Sequence, residues 1–163
     1  MDREELLERY TAGERDFNSV EIPGIDLSNL DLCRIQLAYA EMEGANFSGT
    51  NLSEGCLQSS WIERVNFSRA NLYGIDFYET CWDGIDFTGA CLVGTNLEIA
   101  YGKANLTNAN LIGAINFSND EAIFQNTIMP DGQIVNVVHS SNVVESQYPR
   151  TLYLCDLPNL KFG

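Results

Sequence analysis

The chain is organised around a large apolar residue that recurs at every fifth position from Phe17 to Leu97. A period of five matches neither the period of a helix, about 3.6, nor that of a strand, about 2. Neither element alone can bury this pattern, so the repeat itself must define the fold. These central positions are Phe17, Ile22, Leu27, Leu32, Leu37, Met42, Phe47, Leu52, Leu57, Ile62, Phe67, Leu72, Phe77, Trp82, Phe87, Leu92 and Leu97.

The residues around each central position also follow a rule. A small or β-branched residue usually lies two positions before it, and Asn or Asp usually lies one position before it, which we call the preceding position. The triplets Ala45-Asn46-Phe47 and Ala70-Asn71-Leu72 are examples. They resemble the A(D/N)LXX consensus of the pentapeptide-repeat family over roughly residues 15–119. The resemblance, which includes short cyanobacterial members, implies an all-β, right-handed quadrilateral β-helix with four pentapeptides in each coil.

The four-sided arrangement has support within the chain, because stacked coils should align residues that lie twenty apart. One such column is Leu27, Phe47, Phe67 and Phe87, and the next contains only leucine at positions 32, 52, 72 and 92. Strands in neighbouring layers lie about 4.8 Å apart. About five coils would therefore form a solenoid about 24 Å long.

The sequence divides into three regions: residues 1–14 as a capping helix, 15–119 as the solenoid, and 120–163 as a C-terminal cap and tail. Asp2 followed by Glu5 has the spacing of a helix N-cap, and Gly13 can end the helix. We expect this helix to cover Phe17 and Ile22, with binding of a partner as the alternative. Near the other end, Pro-Asp-Gly at 130–132 predicts a hairpin turn, and much of residues 139–163 is expected to be extended or poorly ordered.

Trp82 is the one central residue that is too large for a leucine-sized site. Gly102 follows it twenty residues later and would leave room for the indole. One residue is missing between Leu97 and Leu106 on the same side of the coil. These features predict that Trp82 points inward, as a structural compensation without a pocket.

The side that contains Ile22, Met42, Ile62 and Trp82 departs from the consensus. Its preceding positions are Glu21, Glu41, Trp61, Cys81 and Tyr101, and acidic residues also follow three of its central residues. Stacked like charges repel, and an exposed tryptophan is typical of a surface that another molecule covers. We call this the acidic side; it is either a solvated face or a binding face for a basic partner. The candidate binding residues are Glu21, Glu41, Glu43, Trp61, Glu63, Asp83 and Tyr101.

Composition limits the possible functions further. The formal net charge of −14 opposes direct binding of nucleic acid, which depends on Lys and Arg. The single histidine, His139, has no companions for a metal site or a nucleophile, so we expect no cofactor and no enzymatic activity. Five cysteines without CxxC spacing indicate free thiols in a reducing compartment. With no apolar leader or membrane span, the chain is expected to be cytoplasmic.

Two functional classes remain. The first is a scaffold or protein–protein interaction module that presents the acidic side to an unknown protein with a basic surface. The second, implied by the resemblance, is a DNA mimic that binds gyrase. Duplex DNA carries one charge per about 1.7 Å, or roughly 14 over about 24 Å. The acidic side supplies only Glu21, Glu41, Glu43, Glu63 and Asp83, which favours the interaction module.

Overall fold

The repeat forms a stack of parallel β-bridges between residues that lie twenty apart. The computed structural model describes residues 1–98, 100–117 and 122–137. Its bridges run in four columns, one of which joins Glu21 to Glu41, Glu41 to Trp61 and Trp61 to Cys81. Most of these contacts are single bridges between turns, because each five-residue side is too short for a long strand. The other three columns start at Asp16, Asp26 and Asp31.

The interior consists of the central residues. Each one from Phe17 to Leu97 is at most 1% exposed, and the small residues two positions earlier are buried as well. The rings of Phe47 and Phe67 stack with centroids 5.4 Å apart, and those of Phe67 and Phe87 stack at 5.5 Å. The predicted phenylalanine column is therefore confirmed. Burial at this density is the main source of stability in the fold.

Helix α1 (Arg3–Thr11) closes the N-terminal end of the stack. The side chain of Asp2 accepts a hydrogen bond from the backbone N–H of Glu5, as the capping spacing predicts. Leu6 is fully buried, and the guanidinium of Arg9 lies 5.2 Å from the centre of the Phe17 ring. The helix therefore covers the first coil.

The cap also bonds to backbone carbonyls that have no coil beneath them. The amino group of Met1 donates to the carbonyl of Glu21, and Nε of Arg3 donates to the carbonyl of Asp26. The hydroxyl of Tyr10 donates to the carbonyl of Cys33 at 3.0 Å. These bonds blunt an edge that would otherwise be available for pairing with another chain.

The missing residue is absorbed where strand β1 (Cys81–Asp86) pairs in parallel with strand β2 (Tyr101–Asn105). Asp83 faces Lys103 and Ile85 faces Ala104, which leaves Gly84 without a partner as a bulge. Beyond the bulge, Asp86 pairs with Asn105, so the register is one residue shorter from that point.

Strand β3 (Phe124–Ile128) and strand β4 (Ile134–Val137) form the antiparallel hairpin that the Pro-Asp-Gly turn predicts. Backbone bonds join this hairpin to the solenoid, since the N–H of Ile123 donates to the carbonyl of Ala104. The prediction that much of residues 139–163 is extended or poorly ordered falls outside the described residues. Within the described part, no helix has the length and apolar character needed to cross a membrane.

Candidate functional site

The acidic side is one continuous column in the structure. Parallel pairing joins Glu21, Glu41, Trp61, Cys81 and Tyr101 in that order. Glu21, Glu41, Glu43 and Asp83 are exposed, and Glu63 is partly exposed. The structure thus brings the sequence-predicted residues together on one face of the backbone.

In each of the other three columns, pairs of Asn and Asp at preceding positions bond neighbouring coils together. Asn51 is typical: its Oδ1 accepts from the backbone N–H of Ser53, and its Nδ2 donates to Asp31 at 2.8 Å in the coil below. Asn71 donates to Asn51 in the same way at 2.9 Å. The same local bond occurs at Asp26, where hydrogen bonds from Ser28 lower the pKa of the carboxyl group.

The acidic side has no such ladder in the described part of the chain. Glutamate and tryptophan have a different reach from Asn and Asp, and neither Glu21, Glu41 nor Trp61 bonds through its side chain to the residue two positions on. The backbone bridges are nevertheless intact, since the N–H of Trp61 donates to the carbonyl of Ala40 at 2.8 Å. These side chains therefore form no hydrogen bonds that hold the coils together.

Trp61 projects from the middle of the acidic side with 57% of its surface exposed. Its partner on one side of the column is Glu41, and its partner on the other is the small residue Cys81. Among the described residues, no aromatic ring or cation contacts the indole. An exposed indole next to a carboxylate provides an apolar plate and a negative charge at one place.

Trp82 lies in the interior, as predicted. It is fully buried, its Nε1 donates to the hydroxyl of Thr80 at 3.0 Å, and its ring packs against Phe77 and Phe87. The predicted reason for Gly102 was wrong. A Cβ atom on Gly102 would lie 2.3 Å from the backbone carbonyl oxygen of Trp82, so the glycine allows two backbones to approach and does not make room for the indole.

Arg64 belongs to this face, although the sequence analysis did not include it. Its guanidinium binds the carboxylate of Glu43 in the previous coil, and its Nη1 lies 3.6 Å from Oε2 of Glu63. Two of the five carboxylates are therefore already paired. The separation of 21 residues between Glu43 and Arg64, one coil plus one residue, was the signal that would have revealed this pair.

The borders of the acidic side also carry charge and aromatic surface. Tyr39 is 59% exposed at a turn that leads into Glu41. On a later coil, the negative charge of Glu79 is the first cause of a raised pKa for its neighbour Tyr78, and burial is the second.

The cysteines give no site of their own: Cys33, Cys56, Cys81 and Cys91 are free thiols, whereas Cys155 lies outside the described residues. No group of metal-ligating residues occurs within the described ranges.

A second exposed surface was not predicted. Tyr73, Val93 and Ile112 stack in successive coils along a corner. The N–H of Gly74 donates to the carbonyl of Val93, and the N–H of Gly94 donates to the carbonyl of Ile112. Tyr73 is 51% exposed, Val93 is half-buried and Ile112 is exposed. The three side chains are uncharged and the column lies two bridge columns away from the acidic side, so it serves for comparison.

Comparisons with known proteins agree with this architecture. A model of pentapeptide repeats matches eight copies, over residues 24–54 and 66–98. Among solved structures, HetL is similar; it is a pentapeptide repeat protein involved in heterocyst differentiation regulation in the cyanobacterium Nostoc sp. strain PCC 7120. The two chains are 31% identical with a TM-score of 0.62, over 73% of this chain and 53% of HetL. The chain thus spans about half the length of HetL.

Two other solved structures are more distant. Rfr23 from the cyanobacterium Cyanothece 51142 is 21% identical with a TM-score of 0.37, over 76% of this chain and 96% of Rfr23. QnrB1, a plasmid-mediated fluoroquinolone resistance protein, is 16% identical with a TM-score of 0.28, over 66% of this chain and 69% of its own. A comparison with curated protein sequences finds no match. The bridge columns, the family match and the likeness to HetL together assign the chain to the pentapeptide-repeat family, whose fold is a right-handed β-helix.

Proposed function

We propose that the protein is a non-catalytic interaction module that presents its acidic side to a protein with a basic surface. In this proposal a four-sided solenoid of about five coils acts as a rigid support. The observation that carries the proposal is the exposed Trp61 in a column of carboxylates whose side chains make no ladder bonds. Side chains that are not needed for folding are available for binding, and tryptophan is enriched at the centres of protein interfaces.

The likeness to HetL agrees with this proposal. HetL is involved in the regulation of differentiation, and a regulatory protein acts by contacting other molecules. Electrostatic attraction would bring a basic partner to the acidic side and align it there. The charge is moderate after Arg64 has paired with Glu43 and Glu63, so apolar contact with Trp61 must contribute to the affinity.

The gyrase-binding alternative has less support from the face itself. A DNA mimic needs a dense row of unpaired negative charges, about one per 1.7 Å of length. Of the five carboxylates on the acidic side, only Glu21, Glu41 and Asp83 are without an ion pair among the described residues. Asp83 also has Lys103 as its neighbour in the strand pairing. The face is thus closer to a mixed protein-binding surface than to a continuous polyanion.

Site-specific photo-crosslinking in an extract of the source cells would test the proposal. A benzophenone amino acid at position 39, on the border of the acidic side, should give a discrete crosslinked product. The product should be lost when Glu41→Gln and Glu43→Gln are combined, and it should decrease as salt rises because exposed charges are screened.

The matched control places the same photo-crosslinker at position 73. Tyr73 has similar exposure to Tyr39 but lies on the uncharged column. A product that forms equally from both positions, or that is insensitive to the two glutamine substitutions, would contradict the proposal.

A further inference from the structure

The acidic side contains an internal example of how it can hold a guanidinium. Arg64 reaches from its own coil to Glu43 in the previous coil while remaining close to Glu63. Glu43 and Glu63 occupy equivalent positions in successive coils. The spacing between coils therefore allows one planar guanidinium to interact with acidic groups from two layers.

The neighbouring column offers a similar arrangement without a cation. Glu41 and Trp61 are partners in a parallel bridge, so their side chains leave the same face in successive coils. Both are exposed, and the Glu41 carboxylate forms no hydrogen bond or ion pair with any described residue. Glu21, the next carboxylate in the column, is also exposed. Two stacked like charges without a counter-ion repel each other, so a cation placed here would relieve an unfavourable interaction.

We propose that Glu41 and Trp61 receive an arginine side chain from an extended segment of a protein partner. The guanidinium would lie against the indole of Trp61 and donate hydrogen bonds to the carboxylate of Glu41. Cys81, on the other side of Trp61 in the column, is small and leaves the indole accessible. Charge complementarity selects a basic ligand, and the combination of a flat ring with a carboxylate selects arginine from the basic side chains.

Arginine suits this arrangement better than lysine does for two physical reasons. Its planar guanidinium can stack on an aromatic ring, and its fork of N–H groups can bind a carboxylate through two parallel hydrogen bonds. Lysine carries a compact ammonium that is more strongly hydrated, so its contact with the indole is weaker. Nucleic acid does not fit the same place, because its phosphates would be repelled by Glu21 and Glu41.

This inference rests on the proposed function, because both assign binding to the acidic side. It adds the identity of the recognised side chain, and the two can fail separately. A peptide titration tests the arginine receptor, whereas the photo-crosslinking experiment tests whether a protein partner uses the face.

The titration would add the capped peptide Gly-Arg-Gly-Arg-Gly to the whole 163-residue chain, and NMR spectra would monitor binding. The two tryptophans give two indole N–H signals, and a Trp61→Phe variant assigns them. The arginine peptide should shift the Trp61 signal while the buried Trp82 signal stays in place. The matching Gly-Lys-Gly-Lys-Gly peptide should bind at least about threefold more weakly. Glu41→Gln should weaken binding of the arginine peptide by about three- to tenfold in this titration. Trp61→Ala lacks the indole signal, so its binding is followed by backbone amide shifts, and it should be weakened by a similar factor.

Controls are available on other parts of the surface. Glu8→Gln removes an exposed carboxylate on helix α1, and Tyr73→Ala removes an exposed aromatic ring, both outside the acidic side. Neither change should alter the affinity by more than about twofold. Equal binding of the two peptides, or a loss in the controls as large as in Glu41→Gln, would overturn the arginine receptor. If neither peptide bound while crosslinking at position 39 still depended on Glu41 and Glu43, the receptor would be refuted and the interaction module would stand.

Discussion

Two columns of the same solenoid use the same backbone in different ways. In the column of Asp31, Asn51 and Asn71, each amide donates to the coil below, and each side-chain oxygen accepts a bond from its own turn. In the column of Glu41 and Trp61 the backbone bridges are the same, but the side chains make no such bonds in the described structure. The backbone bonds that join the coils in this column therefore do not involve the glutamate or tryptophan side chains. The difference separates residues that build the solenoid from residues that are available for binding.

The two columns do not differ in the interior, because the central residues next to both are equally buried. Phe67→Ala should cost about 3–5 kcal/mol of unfolding free energy, and Ile62→Ala on the acidic side about 2–5 kcal/mol, because each leaves a cavity in a packed core. Glu41→Ala should change stability by less than about 0.5 kcal/mol. Urea denaturation measures all three. Similar values for Phe67→Ala and Glu41→Ala would contradict the inward and outward assignments.

The register change on the acidic side gives the next largest effect. Gly102→Ala should destabilise by about 2–3 kcal/mol, because a Cβ atom meets the carbonyl of Trp82 and the backbone φ of +114° disfavours a side chain. Gly74→Ala is the matched control: its φ is +64°, and nothing lies within 4 Å of the added Cβ atom. That change should cost only about 1 kcal/mol. Thermal or urea unfolding of both variants would measure the difference, and equal losses would refute the close approach.

The ladder itself makes a smaller contribution at each position. Asn51→Ala removes bonds to Asp31, Ser53 and Asn71 and should cost about 1–2 kcal/mol, because exposed hydrogen bonds compete with water. Trp61→Ala, on the acidic side, should cost less than about 0.5 kcal/mol. The comparison requires only equilibrium unfolding curves. A greater loss for Trp61→Ala than for Asn51→Ala would mean that the indole supports the fold.

The smallest effect concerns the N-terminal cap at high pH. Burial first, and then the hydrogen bond to Cys33, raise the pKa of Tyr10 to about 12. A raised pKa means that the stabilisation is complete below the unfolded value of about 10 and is lost as pH rises through about 12. Tyr10→Phe should therefore destabilise slightly at pH 8 and lower the sensitivity of unfolding to pH between about 10 and 12. Unfolding curves across this range measure it; identical pH profiles for the two proteins would contradict the role of Tyr10.

The sequence predicted the columns, the buried central residues, the capping helix and the hairpin turn, because each depends on a spacing or a local rule. The twenty-residue register follows from sterically similar residues that must stack. Trp82 was correctly predicted to point inward, although the role given to Gly102 in that prediction was wrong. These are repetitive features, and repetition makes a long-range contact visible as a local pattern.

Other features depend on contacts that no period encodes. The need for glycine at 102 depends on the distance between two backbones. The pairing of Arg64 with Glu43 has a spacing of one coil plus one residue, but whether the two side chains meet depends on where a turn residue projects. The bonds from Met1, Arg3 and Tyr10 to orphan carbonyls depend on how a helix docks on the first coil. The acidic side was predicted as a face, but its division into paired and unpaired carboxylates became visible only in three dimensions.

The double variant Glu41→Asn with Trp61→Asn tests the central claim most directly, since it gives the acidic side the residue type of the laddered columns. Its free energy of unfolding should equal that of the natural protein or exceed it by about a few tenths of a kcal/mol. The reason is that asparagine can form the ladder and that a stacked charge is removed. The crosslinked product from position 39 should disappear. A loss of stability of more than about 1 kcal/mol, or an unchanged product, would contradict the account.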